Sequence, residues 1–591
     1  MTTSMVSYRV KVLANEHALD VEMMIDAAQT RTGEVVLEIP TWVPGAYAFM
    51  RYGRDIVDVH AFDAVSGSPL GVEREGNNAF RVDAGGRRIK VTYRVFVVDP
   101  AWGELVGIVG TDQAVLLGTR LFSVRGEQQS PCRVTYRLPE KWAFHHPSGA
   151  KKIDDRTFEY PSYEVLLDTS VVCGAFEKMT RVISGTPFHF IFLERAVGFS
   201  RRAVELVDAL VRVSEECEKI FGAFPFEDYS FVMSSDPRAH WGLEHANGTM
   251  IGIGEGVFVD AEAWLQTIRV AGHELVHAWN VKRLKPKPIL NLDITGGSFT
   301  DALWVAEGFT RYWEFLIAVR AKEMSPERFF ANVVNYYRFL SARPAYARTS
   351  VGDSSRATFL NHHRYPGAWN SSIDYYDAGM LVAFDIDAIL RRAKTASSLD
   401  ESFRVFYNEF LSRGFTGADA RGFFASREHS LDHLIAREVE GAGSLSTLDQ
   451  LEALGFAVTR GQLPRAGVVL EKNIGPRITD VLDGSAASKA GLAPDDEIIR
   501  IGENAFHLAG FQWLVKNEAH FSVEVRRGGR FFAFEIAPEP RNDVTALIWN
   551  GTVEQLDCLK KWLGREDLMF PRGHEISLQP YDNFHGVDAA I

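Results

Sequence analysis

Residues 261 to 277 read Ala261-Glu262-Ala263-Trp264-Leu265-Gln266-Thr267-Ile268-Arg269-Val270-Ala271-Gly272-His273-Glu274-Leu275-Val276-His277. The apolar residues Trp264, Leu265, Ile268 and Ala271 recur at helical spacing, and no proline interrupts them. On a helix, positions i and i+4 share one face, so His273 and His277 can present both imidazoles to a single metal ion. Glu274 projects about 100° away from His273, where it can hold a water for activation. Two nitrogen donors and a carboxylate base form the core of a zinc hydrolase. A random HExxH would arise in roughly three of a hundred chains of this length, so the surroundings of the motif must decide. His574-Glu575 shows the contrast: four residues after His574 stands Leu578, and no ligand pair forms.

Pro286 and Pro288 stop any helix soon after Lys285, which predicts that the two histidines lie near the C-terminal half of a buried helix. A catalytic zinc takes three protein ligands and leaves a fourth position open. No third histidine follows within a short loop. The best candidate is Glu307, the single acid in the middle of the apolar run from Ala302 to Phe309. A lone carboxylate there is costly unless it is paired or metal-bound; an ion pair with Arg311 is the plainer alternative. Glu314 is expected on the far, solvated side of the same helix.

With these residues in view the chain resembles a known family. His273 to Pro286, reading HELVHAWNVKRLKP, is similar to the zinc signature of the glycyl aminopeptidases, PDZ-containing zinc metallopeptidases related to the aminopeptidase N group. Leu303-Trp304-Val305-Ala306-Glu307-Gly308 resembles that family's third-ligand segment. Pro40-Thr41-Trp42-Val43-Pro44-Gly45-Ala46-Tyr47 resembles its N-terminal signature, and Gly242-Leu243-Glu244-His245 its exopeptidase loop. Ser372 to Gly379 resembles its Tyr-Tyr-x-Lys-Gly segment, except that Ala378 stands where the family commonly has lysine. If that lysine orients the neighbouring tyrosine, activity survives its loss; if it touches substrate, specificity differs.

The resemblance implies a division of labour. His273, His277 and Glu307 would bind Zn2+, and Glu274 would act as general base. Tyr376 would stabilise the oxyanion, with Tyr375 the neighbour most easily confused with it. Gly242 and Glu244 would meet the substrate, Glu244 by a charge-assisted bond to its free α-ammonium group. His245, His240 and Asp236, nearby in sequence, are expected to be bystanders. The implied substrates are peptides with a free N-terminus and a small first residue of the glycine or alanine type.

Organisation follows from pattern and composition. A chain of 591 residues is too long for one compact domain. The fold class expected is multidomain α+β. Residues 1–180 should form an N-terminal β-sandwich-like domain, with alternating strands such as Ser7–Leu13, Val35–Ile39, Ile89–Val98 and Val134–Leu138. Residues 185–450 should form a thermolysin-like, mainly helical catalytic domain, interrupted by strands from 229 to 254. Residues 452–540 resemble a bacterial-type PDZ domain, on Gly484 to Ile499 and on Leu454-Gly455-Phe456 as a carboxylate-binding loop for a peptide or protein C-terminus. Residues 541–591 are a C-terminal extension opening with a helix over Val553–Leu563.

The formal net charge of −13 and the lack of a basic stripe argue against a nucleic-acid surface. No apolar run is long enough to span a membrane, and Met1 to Val10 lacks the pattern of a signal peptide. The four cysteines, Cys132, Cys173, Cys217 and Cys558, show no CxxC spacing and suit a reducing compartment. A cytoplasmic location is therefore expected. Two alternatives to a zinc aminopeptidase stand beside it: a zinc endopeptidase, if Glu244 does not close the cleft, and a PDZ-mediated peptide-binding protein with a non-catalytic zinc site.

Overall fold

The computed structural model describes residues 5–26, 33–43, 45–98, 107–239, 242–291, 293–361, 365–393, 397–471, 476–578 and 587–588. Pro44 and His240, both named above, lie outside them. The chain forms two compact units, residues 1–298 and 299–591.

In the first unit, strand Val6–Leu13 buries Val6, Tyr8, Val10 and Val12 and turns the residues between them outward. That period of two is what a sheet with one covered face requires. It is a central strand of an eight-stranded sheet, antiparallel to Ala18–Ile25 and parallel to Cys132–Arg137. Two four-stranded sheets complete the N-terminal β region, and one apolar core runs through it. A five-stranded sheet follows, in the order Glu177–Ile183, Thr186–Phe192, Tyr229–Ser234, Gly248–Gly252, Gly242–His245. Gly242–His245 is thus an edge strand, antiparallel to Gly248–Gly252, with Glu244 opposite Thr249. Helix Phe199–Phe221 packs beside helix Ala261–Val276.

The second unit is mainly helical to residue 453, with Thr310–Arg320, Pro326–Ser341 and Tyr375–Arg392 at its centre. Gly308, in the turn Trp304–Phe309 that leads into Thr310–Arg320, and Gly379, in Tyr375–Arg392, come into backbone contact: a Cβ on Gly308 would lie 2.4 Å from the Gly379 Cα. Further on, residues 466–536 enclose a small apolar core of their own, built from strands and helices Ala486–Ala490 and Leu508–Asn517. Leu454 and Gly455 donate their amides to Gln450 O and Glu452 O, each at 3.0 Å, closing the end of helix Thr447–Ala453. Those two N–H groups are committed within the chain rather than turned out to receive a carboxylate.

Helix Val553–Leu563 forms over the residues expected for it, but it is no loose appendage. Trp562 is fully buried, donates to Tyr312 Oη at 2.7 Å and stacks on Phe384. Arg320 Nε reaches the Trp562 carbonyl at 3.1 Å. The last helix is part of the core that supports the central helices.

All four cysteines are free thiols. Among the described residues, no helix is long and apolar enough to cross a membrane.

Candidate metal centre and active site

Asp260 caps helix Ala261–Val276 by accepting the Ala263 amide at 2.8 Å. Its first two turns are partly exposed, whereas every residue from Thr267 to Val276 is buried. A helix buried on all sides in its second half plunges into the core, and it carries the motif with it. The helix ends at Val276, earlier than Pro286 and Pro288 require. His277 is its C-cap, with its amide on His273 O at 3.3 Å. The His273 and His277 rings lie 4.6 Å apart, centre to centre, nearly perpendicular.

His277 Nδ1 lies 2.7 Å from the Asn280 carbonyl oxygen. A carbonyl only accepts, so Nδ1 carries the proton and Nε2 keeps its lone pair. Metal-binding histidines are commonly fixed in this way. The sequence offered no side-chain signal for it, because the partner is a backbone atom.

Three further groups gather here. The carboxylates of Glu244 and Glu274 and a ring nitrogen of His277 lie within 4.8 Å of one another, all buried. Gly242 explains how Glu274 fits: a Cβ on residue 242 would stand 2.2 Å from Glu274 Oε1. Tyr229, two strands away in the same sheet, donates its hydroxyl to the Glu274 carbonyl at 3.2 Å. Burial and the Glu274 charge together push the Tyr229 phenol well above its ordinary pKa. The first unit thus brings His273, His277, Glu274, Glu244 and Gly242 to one buried polar centre.

Of the expected bystanders, Asp236 is an outer residue paired with the exposed Arg238 at 2.6 Å. His245 is buried instead and bonded to Asp168.

In the second unit Glu307 is 1% exposed and sits in a π-helical turn, Trp304–Phe309, that runs into helix Thr310–Arg320. Such turns are frequent at functional sites. Arg311 pairs with Asp377, and its guanidinium lies 5.2 Å from the centre of the Tyr376 ring. Glu314 contradicts the expectation of a solvated face. It is 2% exposed, and its charge contributes to raising the Arg311 pKa. Seven residues are nearly two turns, so an α-helix places position 314 about 20° from position 307, not opposite it. The helix is moreover buried on all sides from Thr310 to Val319.

Asp374 caps helix Tyr375–Arg392 by accepting the Tyr376 amide at 2.7 Å. The helix therefore starts four residues before Gly379, and both tyrosines fall in its first turn. Tyr375 is buried with its hydroxyl 2.7 Å from Thr358 Oγ1. Burial first, and then the Glu307 charge, push its pKa well up. Tyr376 is only partly buried. Ala378 is fully buried, so a lysine there would bring its chain into packed surroundings; the cation beside Tyr376 comes from Arg311 instead.

A sequence model for the M61 glycyl aminopeptidases matches residues 266–382, and one for the M61 peptidase N-terminal domain matches residues 7–175. The chain belongs to the M61 glycyl aminopeptidase family. The M61 peptidase match takes in His273, Glu274, His277, Glu307 and Tyr376, whereas Gly242 and Glu244 fall between the two matches. An aminopeptidase N family protein from Idiomarina loihiensis shares the fold, with a TM-score of 0.82 at 21% identity over 95% of this chain and 100% of that one. The M1 zinc metallopeptidase from Deinococcus radiodurans is similar at a TM-score of 0.46, with 15% identity over 74% of this chain and 94% of that one. A search of curated proteins found no match.

Proposed function

We propose that this protein is a zinc-dependent aminopeptidase that removes small N-terminal residues, of the glycine or alanine type, from peptides. The observation that carries the reading is the buried cluster of Glu244, Glu274 and His277, where helix Ala261–Val276 meets the edge strand. Peptide chemistry needs a base beside the metal ligands, and exopeptidase chemistry needs an anion for the free amine.

The donor set suits zinc. Two neighbouring imidazoles, one with its tautomer fixed by Asn280, supply neutral nitrogen donors. His273 and His277 would hold the ion, with Glu307 as the third ligand. When bound, zinc supplies Lewis acidity and lowers the pKa of water toward neutrality. Glu274 takes a proton from the attacking water and returns it to the departing amine. Tyr376 donates its hydroxyl to the carbonyl oxygen as negative charge grows there. Glu244 binds the substrate's α-ammonium group, and Gly242 leaves room for Glu274.

The division into residues 1–180, 185–450, 452–540 and 541–591 belongs to the same proposal. So do the PDZ assignment of 452–540, a peptide or protein C-terminus as its partner, and a cytoplasmic site of action. The separate core of residues 466–536 supports a distinct module.

The deciding experiment is Glu274→Gln, with aminoacyl-anilide turnover and zinc content measured together. Zinc content should match the wild type while hydrolysis is lost. Turnover near the wild-type rate would refute the assignment. Cleavage confined to N-blocked peptides would favour the endopeptidase, and binding with no turnover by the wild type would favour the peptide-binding protein.

A further inference from the structure

Glu244 stands on an edge strand whose alternate residues face opposite ways. Gly242 abuts Glu274 on one face, where Glu244 also lies. Leu243 and His245 line a cavity of about 350 Å³ on the other. Elements of the N-terminal β region reach this strand at two points.

The first is the loop around Gly45. A Cβ on that residue would lie 2.4 Å from both carboxylate oxygens of Glu244, so its backbone packs directly on the carboxylate. Gly45 has φ +103°, where a side chain is strained as well. The loop is held in place: the Thr41 amide donates to Ile294 O at 2.8 Å and its hydroxyl to Thr295 O at 2.7 Å.

The second is Asp168, which ends the short helix Tyr163–Leu167. Its Oδ2 accepts the Ala246 amide at 2.7 Å, and its Oδ1 meets Lys282 Nζ at 2.5 Å and His245 Nδ1 at 3.4 Å. One carboxylate therefore ties the end of the Glu244 strand to the segment that follows His277. Burial alone would raise the Asp168 pKa, but Lys282 and His245 outweigh it and hold the group well below the usual carboxylate range.

We propose that the N-terminal β region completes the pocket for the substrate's amino terminus: Gly45 packs on Glu244 and closes the space beyond it, and Asp168 is a positioning residue that pins the strand from behind. The inference rests on the reading of Glu244 as the ammonium partner. It adds a steric component to that reading. A group attached to the substrate nitrogen would meet the Gly45 backbone, so blocked peptides are refused by shape as well as by charge. Neither residue carries a signal of this role in the sequence, because Glu244 lies far from both along the chain.

The test uses the full-length zinc-loaded enzyme and two substrates, alanyl-anilide and its des-amino counterpart, propionyl-anilide. Asp168→Asn should raise KM for alanyl-anilide about tenfold with kcat within threefold of the wild type, so that the preference for the free amine narrows. Gly45→Ala should narrow it at least as much. A merely structural role would lower the melting temperature or reduce turnover of both substrates in equal proportion, leaving the preference as it was. Glu244→Gln separates the two claims. If it leaves the preference intact, the ammonium reading itself fails. If it abolishes the preference while Asp168→Asn and Gly45→Ala keep it, the inference is overturned and the reading of Glu244 stands. Should Asp168→Asn not fold, Gly45→Ala decides by the same ratio.

Discussion

Gly242→Ala puts the proposed base to a geometric test without touching a metal ligand. The new Cβ would stand 2.2 Å from Glu274 Oε1, 2.4 Å from its Cδ and 2.6 Å from its Cγ, where ordinary contacts begin at 3.4 Å. The shortfall is about 1 Å, a distance whose loss at a reacting group costs on the order of 100-fold in rate. That corresponds to about 2.7 kcal/mol of activation free energy. Glu274 is only 5% exposed, so its carboxylate has little free space into which to retreat. Steady-state hydrolysis of alanyl-anilide, with zinc measured on the same sample, reads the effect. kcat should fall about 100-fold with zinc content unchanged, because His273 and His277 are not displaced. A kcat within threefold of the wild type, or a loss explained wholly by missing zinc, would refute the reasoning.

Three further outcomes are expected. Tyr376→Phe should lower kcat about 10²- to 10³-fold through loss of an oxyanion donor. Tyr375→Phe should leave kcat unchanged and lower stability by about 1 kcal/mol, since its hydroxyl bonds Thr358; equal losses for both tyrosines would contradict the assignment. Gly308→Ala should destabilise the second unit by about 1–3 kcal/mol in chemical denaturation, because its Cβ would stand 2.4 Å from backbone at Gly379; an unchanged midpoint would show that the two backbones can part. Asp385 accepts from Thr447 at 3.0 Å and Glu438 accepts the Ser446 amide at 2.9 Å; burial raises both pKa values, and the Glu438 charge raises that of Asp385 further. The folded chain thus keeps protons that the unfolded chain releases near pH 4. Their stabilising effect is complete below that pH and is lost as pH rises through the folded values. Asp385→Asn should therefore flatten the decline of melting temperature as pH rises above about 5, and an unaltered slope would sink this account.

The structure also bears on how the C-terminal part can be tested. Removing everything beyond residue 451 would strip Trp562 from Tyr312, a contact 250 residues apart in sequence, and expose the helices it covers. Loss of activity in such a truncation would report the damaged core rather than a PDZ function. A cleaner comparison replaces residues 466–536, which enclose their own core, and keeps helix Val553–Leu563.

Much of the local structure was legible, for reasons visible residue by residue. Strand Tyr229–Ser234 and helix Val553–Leu563 form over the stretches expected of them. Their apolar spacing and flanking turn residues are short-range signals. The apolar run from Met380 onward marks helix Tyr375–Arg392 but not its start, which the Asp374 side chain sets by accepting the Tyr376 amide. Glu314 departs from the solvated far side expected for it because seven residues of helix return it to within about 20° of Glu307, and Arg311 provides opposite charge inside the core. The commitment of the Leu454 and Gly455 amides to a helix end was likewise invisible, because any backbone can supply them.

What the amino-acid order determined by itself was the pair of imidazoles, one helical turn apart, with a carboxylate between them. That arrangement depends on a period of 3.6 residues and on nothing distant. Tertiary structure alone decided what surrounds it: Gly45 against Glu244, Gly242 against Glu274, and Asp168 holding Ala246. The physical reason is the same throughout. These groups act by close approach, through a missing side chain or a bond to a backbone amide, and close approach between remote segments leaves no periodic trace in a sequence.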